Sequence, residues 1–360
     1  MKRIIPILLL TLCSCSGQDE KIPFEDKTSI KPFINEISSI ELIPLETDND
    51  HLLGSSPELI LSEKSYIIAD KQNCRIFRYS EDGKFLNSIG SKGRANNEYV
   101  DIEGLQASGN EVIVFSRPGK MLRFAQNGDF IETKEYKGKG VQSYLAGDDI
   151  LTYYSYGSGK SYRLALLKAA DTLCFLKTKD NVMNFAGDGT VFSSTNKGGI
   201  AIIDSYNPDI YEYDAESLKR YLTFDFGKYS IPDKFYKFKD PYQSSQYLFS
   251  RNFALIHRYS ECKNYKLVEI FLQKDKSVPE FHYGLETGGK WIWFYAGKAG
   301  EEPLATSFRL FDENSRLLCV IDPSTMGKLP YEFKKLVRNQ EVIEQSNINS
   351  NYVIAKITLK

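Results

Sequence analysis

The chain has 360 residues, 42% of them hydrophobic and 26% charged, with a formal net charge of −1. That is enough apolar material for a core, and the near-neutral balance argues against a nucleic-acid surface, where a strongly basic face is expected, so no nucleic-acid partner is expected. The 23 Tyr and 22 Phe tilt the fold toward β, because aromatic side chains suit a pleated, half-buried surface.

The N-terminus reads as an address. Lys2 and Arg3 precede an apolar stretch, residues 4–12, which falls short of the roughly 20 residues a bilayer span needs and suits a signal-peptide core. It ends in Leu12-Cys13-Ser14-Cys15, which resembles a bacterial lipobox. Cys15 is the expected lipid attachment site, since Leu12 is too large to stand just before the cleavage point that Cys13 would require. The alternative is an ordinary secretory signal with incidental cysteines. The resemblance implies a cell-envelope protein, an outer-membrane lipoprotein facing the periplasm or the surface, held to the membrane through the lipid alone. Residues 1–15 are then the signal, 16–37 a flexible polar tether, and 38–360 the domain. Asp19 and Glu20 in that tether resemble a surface-export tag. The remaining cysteines, Cys74, Cys174, Cys262 and Cys319, show no CxxC pair, so buried or free thiols are expected rather than a metal site, with one disulfide left open.

A repeat then sets the fold. Ile67-Ile68-Ala69-Asp70-Lys71, Arg75-Ile76-Phe77-Arg78-Tyr79 and Asp82-Gly83-Lys84-Phe85-Leu86 recur 45 residues later, without a gap. The second copy is Val112-Ile113-Val114-Phe115-Ser116, Lys120-Met121-Leu122-Arg123-Phe124 and Asn127-Gly128-Asp129-Phe130-Ile131. Each copy reads as a buried first strand, an alternating second strand, a hairpin of the Asp-Gly or Asn-Gly kind with both central residues at positive φ, and a third strand. Weaker copies place turns near 171, 214, 275 and 314, which makes six units. In the sixth, residues 291–295 are expected as the first strand, 308–311 as the second and 316–321 as the third. Units of this period mean propeller blades. The expected architecture is all-β: a six-bladed β-propeller closed by pairing of its N- and C-terminal strands, around 40–45 and 352–359. Pro44, which lacks an amide donor, belongs at a strand end or edge. An insertion is expected at about 231–246, and a short helix in 329–340 with Pro330 near its start.

Three segments carry a family likeness: Ile43-Pro44-Leu45-Glu46-Thr47, the unit at 67–86, and Gly90-Ser91-Lys92-Gly93 leading to Glu98-Tyr99. The pattern resembles the six-bladed β-propeller lipoproteins of Gram-negative bacteria, a group similar to NHL-repeat proteins. Two departures are visible. Ala95-Asn96-Asn97 stands where the family has Gly-Pro-Gly, and Asn351-Tyr352-Val353-Ile354 keeps the family's terminal Asn but not its Pro. The resemblance implies fold and leaves activity open.

Signs of catalysis are sparse. The three histidines, His51, His257 and His282, are widely separated, and a structural or surface role is expected for each. Asp70 and Asp204 occupy equivalent places, read as just after the inner strands of their blades. They could hold one divalent cation such as Ca in the central channel, or fix their own loops by bonding backbone amides. Tyr153, Tyr154 and Tyr156 run into a Gly-Ser loop, and Trp291 stands in another aromatic segment; all four are candidate ligand contacts. The reading favoured is a binding module for a glycan, peptide or envelope protein, with no cofactor and no catalytic residues. The alternatives are a metal-dependent hydrolase or lyase working in the channel, and a structural subunit of an envelope complex.

Overall fold

A strand that is apolar on both faces needs cover on both sides, and this chain supplies it by standing each sheet between two others. Ile67 and Ala69 pack with Val112, Val114 and Leu122 of the next sheet. Tyr66 and Ile68, pointing the other way, pack with Leu318, Val320 and Ile354 of the previous one. Repeated around a ring, this is a six-bladed β-propeller, seen in a computed structural model that describes residues 21–138, 140–155, 158–178, 189–204, 206–274, 278–298 and 300–360.

Blades one to five follow the chain. Blade one holds Glu58–Ser62, Ser65–Asp70, Arg75–Ser80 and Phe85–Ser88, from the inner strand outward; blade two begins with Gly104–Ser108, blade three with Gln142–Ala146, blade four with Phe192–Ser194 and blade five with Phe253–Glu261. Blade six is composite. Phe308–Phe311, Leu317–Ile321 and Val353–Leu359 come from the C-terminal part, and the outermost strand is Ile37–Pro44. That strand pairs antiparallel with Val353–Leu359, Ile40 opposite Ile357 and Pro44 opposite Val353. The expected closure is therefore present, with Pro44 at the end of an outer strand.

The seam is bonded beyond its ladder. Asn351, buried, donates through Nδ2 to the carbonyls of Glu46 and His51 (3.2 and 2.9 Å) and to Tyr79 Oη (3.2 Å). Its Oδ1 accepts from the amides of Leu53 and Tyr352, at 3.3 and 3.1 Å. Its own amide donates to Thr47 Oγ1 at 2.9 Å. The Thr47 and Asn351 ends of the recognised sequence pattern thus meet in space.

Three expectations need correction. The buried runs at 65–70 and 111–116 are second strands, not first or inner ones. Five of the six inner strands are short, at three to five residues, and they carry polar residues at the channel, so their apolar signal is weak. This slips the later units. Lys290–Lys298 is the outer strand of blade five, and the turn at Asn314-Ser315 joins the first and second strands of blade six. The Asp82-Gly83 and Asn127-Gly128 turns have only the glycine at positive φ, 85° and 92°. Each is a turn completed by a left-handed glycine, not the two-residue mirror-image turn. Finally, part of the presumed tether is packed. Ile22–Pro23 adds a parallel fifth strand to blade four, and Phe24 packs edge-on against Phe226, Tyr229, His282 and Trp293. A four-residue helix, Lys31–Ile34, buries Phe33 against Phe294 and Phe308.

The extra residues between blades four and five form 3-10 turns, Gly227–Tyr229 and Asp233–Lys237, and the helix Pro241–Phe249. Asp240 caps that helix by accepting from Gln243 N at 2.9 Å. Phe235, Tyr236 and Leu248 pack against Tyr206 and Phe253. In 329–340 the helix shrinks to Tyr331–Lys334, because Val337 leaves it to bridge Ile40 in parallel.

Candidate functional site

The inner strands of all six blades surround a central cavity of about 260 Å³. It lies toward the rim where tight hairpins join first to second strands. Its walls are mixed: Ile60, Leu105, Phe192 and Phe311 give apolar surface, and Gln106, Tyr144, Ser193 and Ser260 polar surface. Several of the polar groups stitch blades together. Gln106 exchanges two bonds with Leu145 (3.1 and 2.9 Å), and Tyr144 Oη lies 3.2 Å from Ser194 Oγ.

The charge is concentrated where blades five, six and one meet. Arg258, Arg309 and Glu58 all line the cavity there. Two of the strands that carry them are bulged. In Phe253–Glu261 the pairing jumps from Ile256 to Arg258, leaving His257 as the extra residue. In Phe308–Phe311 it jumps from Phe308 to Leu310, leaving Arg309 as the extra residue. A bulge re-aims a side chain that the pleat would otherwise turn elsewhere. Here adjacent inner strands both use one.

The two arginines are compensated unequally. Arg258 stands 3.8 Å from Glu269, which is buried on the second strand of blade five. Glu269 is also bonded by His257 Nδ1 and by the Tyr283 hydroxyl. Burial alone would raise its pKa, but the charge and hydrogen bond of His257, with Arg258 and Tyr283 behind them, hold it down at about 2. Arg309 is 7% exposed and has no carboxylate in ion-pair range among the described residues. Among the described residues it donates to the carbonyls of Thr306 and Phe308. Burial first, and the like charge of Arg258 second, lower its pKa to about 10. The Nε atoms of both arginines are buried and have no hydrogen-bond partner. Glu58, across from them, is bonded to Lys71. Burial opposes its ionisation, yet Lys71 first and then Arg258 and Arg309 keep its pKa below the usual value.

The residues singled out from sequence lie elsewhere. Asp70 and Asp204 are buried at the opposite rim, after second strands, and each is committed to its own surroundings. Asp70 accepts from Gly54 N (3.0 Å), Asn73 N (3.1 Å), Asn73 Nδ2 (2.8 Å) and Arg75 (3.0 Å). Asp204 accepts from Tyr153 Oη (2.9 Å), Arg163 Nε (2.6 Å) and Asn207. Asp70 thus ties the loops around it, and Asp204 ties blade four to Tyr153 and Arg163 of blade three. Tyr153 and Tyr154 are buried in blade three, while Trp291 lies on the outer strand of blade five against Phe224 and Trp293. These aromatics do not form one face. Tyr156 and Cys15 lie outside the described residues. The four cysteines of the described part are free thiols.

Among the described residues, one grouping is tight enough to share an ion: Asp26, Glu280 and His282, with ligand atoms within 4.8 Å of one another. Lys274 Nζ already stands among them, 3.0 Å from Asp26 and 2.8 Å from Glu280. Its ammonium supplies the positive charge and ties the N-terminal segment to blade five. The grouping includes neither Asp70 nor Asp204.

Sequence reasoning missed Arg258, Arg309, Glu58 and Glu269. The signal available was a charge inside a short strand that is otherwise apolar, as in Phe-Arg-Leu-Phe, since such a charge needs a partner or water.

With this geometry in hand, likenesses to other proteins are informative. The profile of a family described as a domain of unknown function, DUF4934, matches residues 20–357. Two solved structures share the architecture. One is a protein of Bacteroides fragilis inferred to be exported, 16% identical, covering 94% of this chain and 99% of that one, with a TM-score of 0.73. The other is a DUF4221 family member from Bacteroides vulgatus, 9% identical, covering 90% of this chain and 97% of that one, with a TM-score of 0.56. At such identities the likeness is one of fold. No match was found among curated protein sequences.

Proposed function

As this chain belongs to the DUF4934 family, a six-bladed propeller family, we propose that it is an exported, envelope-anchored binding module that takes its ligand in the mouth of the central channel. The observation that carries this is the cavity itself. It is bounded by all six inner strands and mixes aromatic and apolar surface with two arginines whose Nε atoms make no hydrogen bond. Binding sites combine an apolar lining with a few placed polar groups in this way. Export and anchoring rest on the lipobox-like Leu12–Cys15 stretch and on the fold shared with a protein inferred to be exported.

Two experiments test the reading. Leu105→Trp enlarges a side chain shared by the channel wall and the packing between blades one and two, and should narrow the channel, with a thermal melt showing the ring still folded. It should abolish binding of whatever a glycan and peptide screen returns, and retention of binding by this variant refutes the channel as the site. Metabolic labelling with an alkyne fatty acid should mark the protein and fail in Cys15→Ala. Equal labelling of both refutes anchoring at Cys15. Ligand binding is expected to survive chelation with EDTA, whereas loss on chelation would favour the metal-dependent hydrolase or lyase.

A further inference from the structure

Resting on the channel reading, we infer that the ligand carries a carboxylate, and that Arg309 and Arg258 are the groups that receive it. The channel holds a buried cation, Arg309, with no carboxylate in ion-pair range among the described residues. A buried guanidinium without an ion pair is destabilising, because removal from water is offset only by good geometry and full hydrogen bonding. Arg309 has neither. Its ion pairs are absent among the described residues, its bonds go to two carbonyls, and its Nε is buried without a partner. Arg258 adds like charge, and its Nε, 3.8 Å from Glu269, makes no hydrogen bond. Two bulges on adjacent strands hold these groups at the channel.

The carboxylates already present do not answer this demand. Glu269 is engaged by His257 and Tyr283 as well as Arg258, and Glu58 is drawn off by Lys71. A guanidinium presents its N–H donors in a flat fork, which matches a carboxylate and is less suited to a neutral hydroxyl. The cavity limits the rest of the ligand. At about 260 Å³ it lies just under the roughly 300–1,000 Å³ of sites that take drug-sized molecules. A single sugar ring or a short apolar body fits, with Ile60, Leu105, Phe192 and Phe311 against it. The class is thus a small organic acid, free or as the acidic end unit of a longer chain.

The test is calorimetric titration of the purified protein with glucuronate, benzoate and hexanoate, each beside its own amide, and with inorganic phosphate. At least one acid should bind about tenfold or more tightly than its amide, the equivalent of one charge-assisted hydrogen bond. Arg309→Met should erase that preference while leaving the thermal midpoint unchanged or higher, since the buried charge is a stability cost. Arg258→Met should reduce the preference. Equal affinity for acid and amide, with both abolished by Leu105→Trp, overturns the inference and leaves the channel reading standing. Binding that ignores Leu105→Trp overturns both. No acid binding at millimolar concentration, or phosphate binding more tightly than every acid, also overturns the inference. So does a fall in the midpoint of Arg309→Met with acid affinity intact, which would make Arg309 structural.

Discussion

Asn351 offers the sharpest test of how the ring is sealed. Replacing it with Ala removes three donor contacts and two acceptor contacts from a site 2% exposed. The carbonyl of Glu46 loses its donor, that of His51 keeps only the Tyr79 hydroxyl at 3.3 Å, and the amide of Leu53 loses its acceptor. Leaving a buried polar group unsatisfied costs about 1–3 kcal/mol, and neighbouring losses do not simply add. A total of about 3 kcal/mol follows, which for a domain of this size lowers the melting temperature by about 4 °C. Asn351→Asp keeps the shape and the Oδ1 acceptor but turns the Nδ2 donor into a charged acceptor facing two carbonyls. It should cost at least as much. Thermal melts and denaturant titrations of the two variants measure both effects. A loss below about 1 kcal/mol in Asn351→Ala, or a tolerated Asn351→Asp, would show that the ladder alone holds the seam.

Three further outcomes are expected. Glu103, lifted to about 7 first by burial and then by Asp101, keeps its proton in the folded state where the unfolded chain loses it near 4.5. Stability should therefore fall as pH rises through that window, and Glu103→Gln should add up to about 3 kcal/mol at pH 8 and nothing below pH 4.5, as read from pH-dependent denaturation. Glu269 has the opposite sign. Its stabilisation is present above about 4.5 and is lost as pH falls toward 2; Glu269→Gln should cost about 3 kcal/mol at pH 7 by stranding His257 and Arg258, and should flatten the acid limb of the profile. Phe24→Ala, which removes the edge contacts with Phe226, Tyr229, His282 and Trp293, should release the N-terminal segment. Limited proteolysis should then cut within 21–36 far faster, while the melting temperature of the ring moves little.

The fold was legible because its signal is long and repeated. Runs such as Tyr66-Ile67-Ile68-Ala69 are apolar on both faces only in a sheet covered on both sides, and the Asp-Gly and Asn-Gly turns mark one rim at a steady interval. Phase was harder. A tight hairpin has the same residues whether it joins first and second strands, as at Asn314-Ser315, or third and fourth, as at Asp82-Gly83. Glu58-Leu59-Ile60-Leu61-Ser62 is too short to announce itself as the innermost strand. The site was less legible still. Asp70 and Asp204 attract notice because they recur, yet recurrence at a strand end is what a loop-fixing carboxylate produces. Arg258 and Arg309 come together through two bulges, and an extra residue in one strand of a pair leaves no mark on local periodicity.

The outermost strand of blade six is made first and used last. Ile37–Pro44 waits for Val353–Leu359, so the sheet that completes the circle cannot form until the whole length has been delivered. Long-range pairing of this kind is slow to form. During the interval Ile40, Leu42 and Ile43, buried in the finished protein, have no neighbours to cover them. A chain of this design depends on whatever shields its leading strand in transit, and any cut that removes the final seven paired residues leaves an open, adhesive wheel rather than a smaller one.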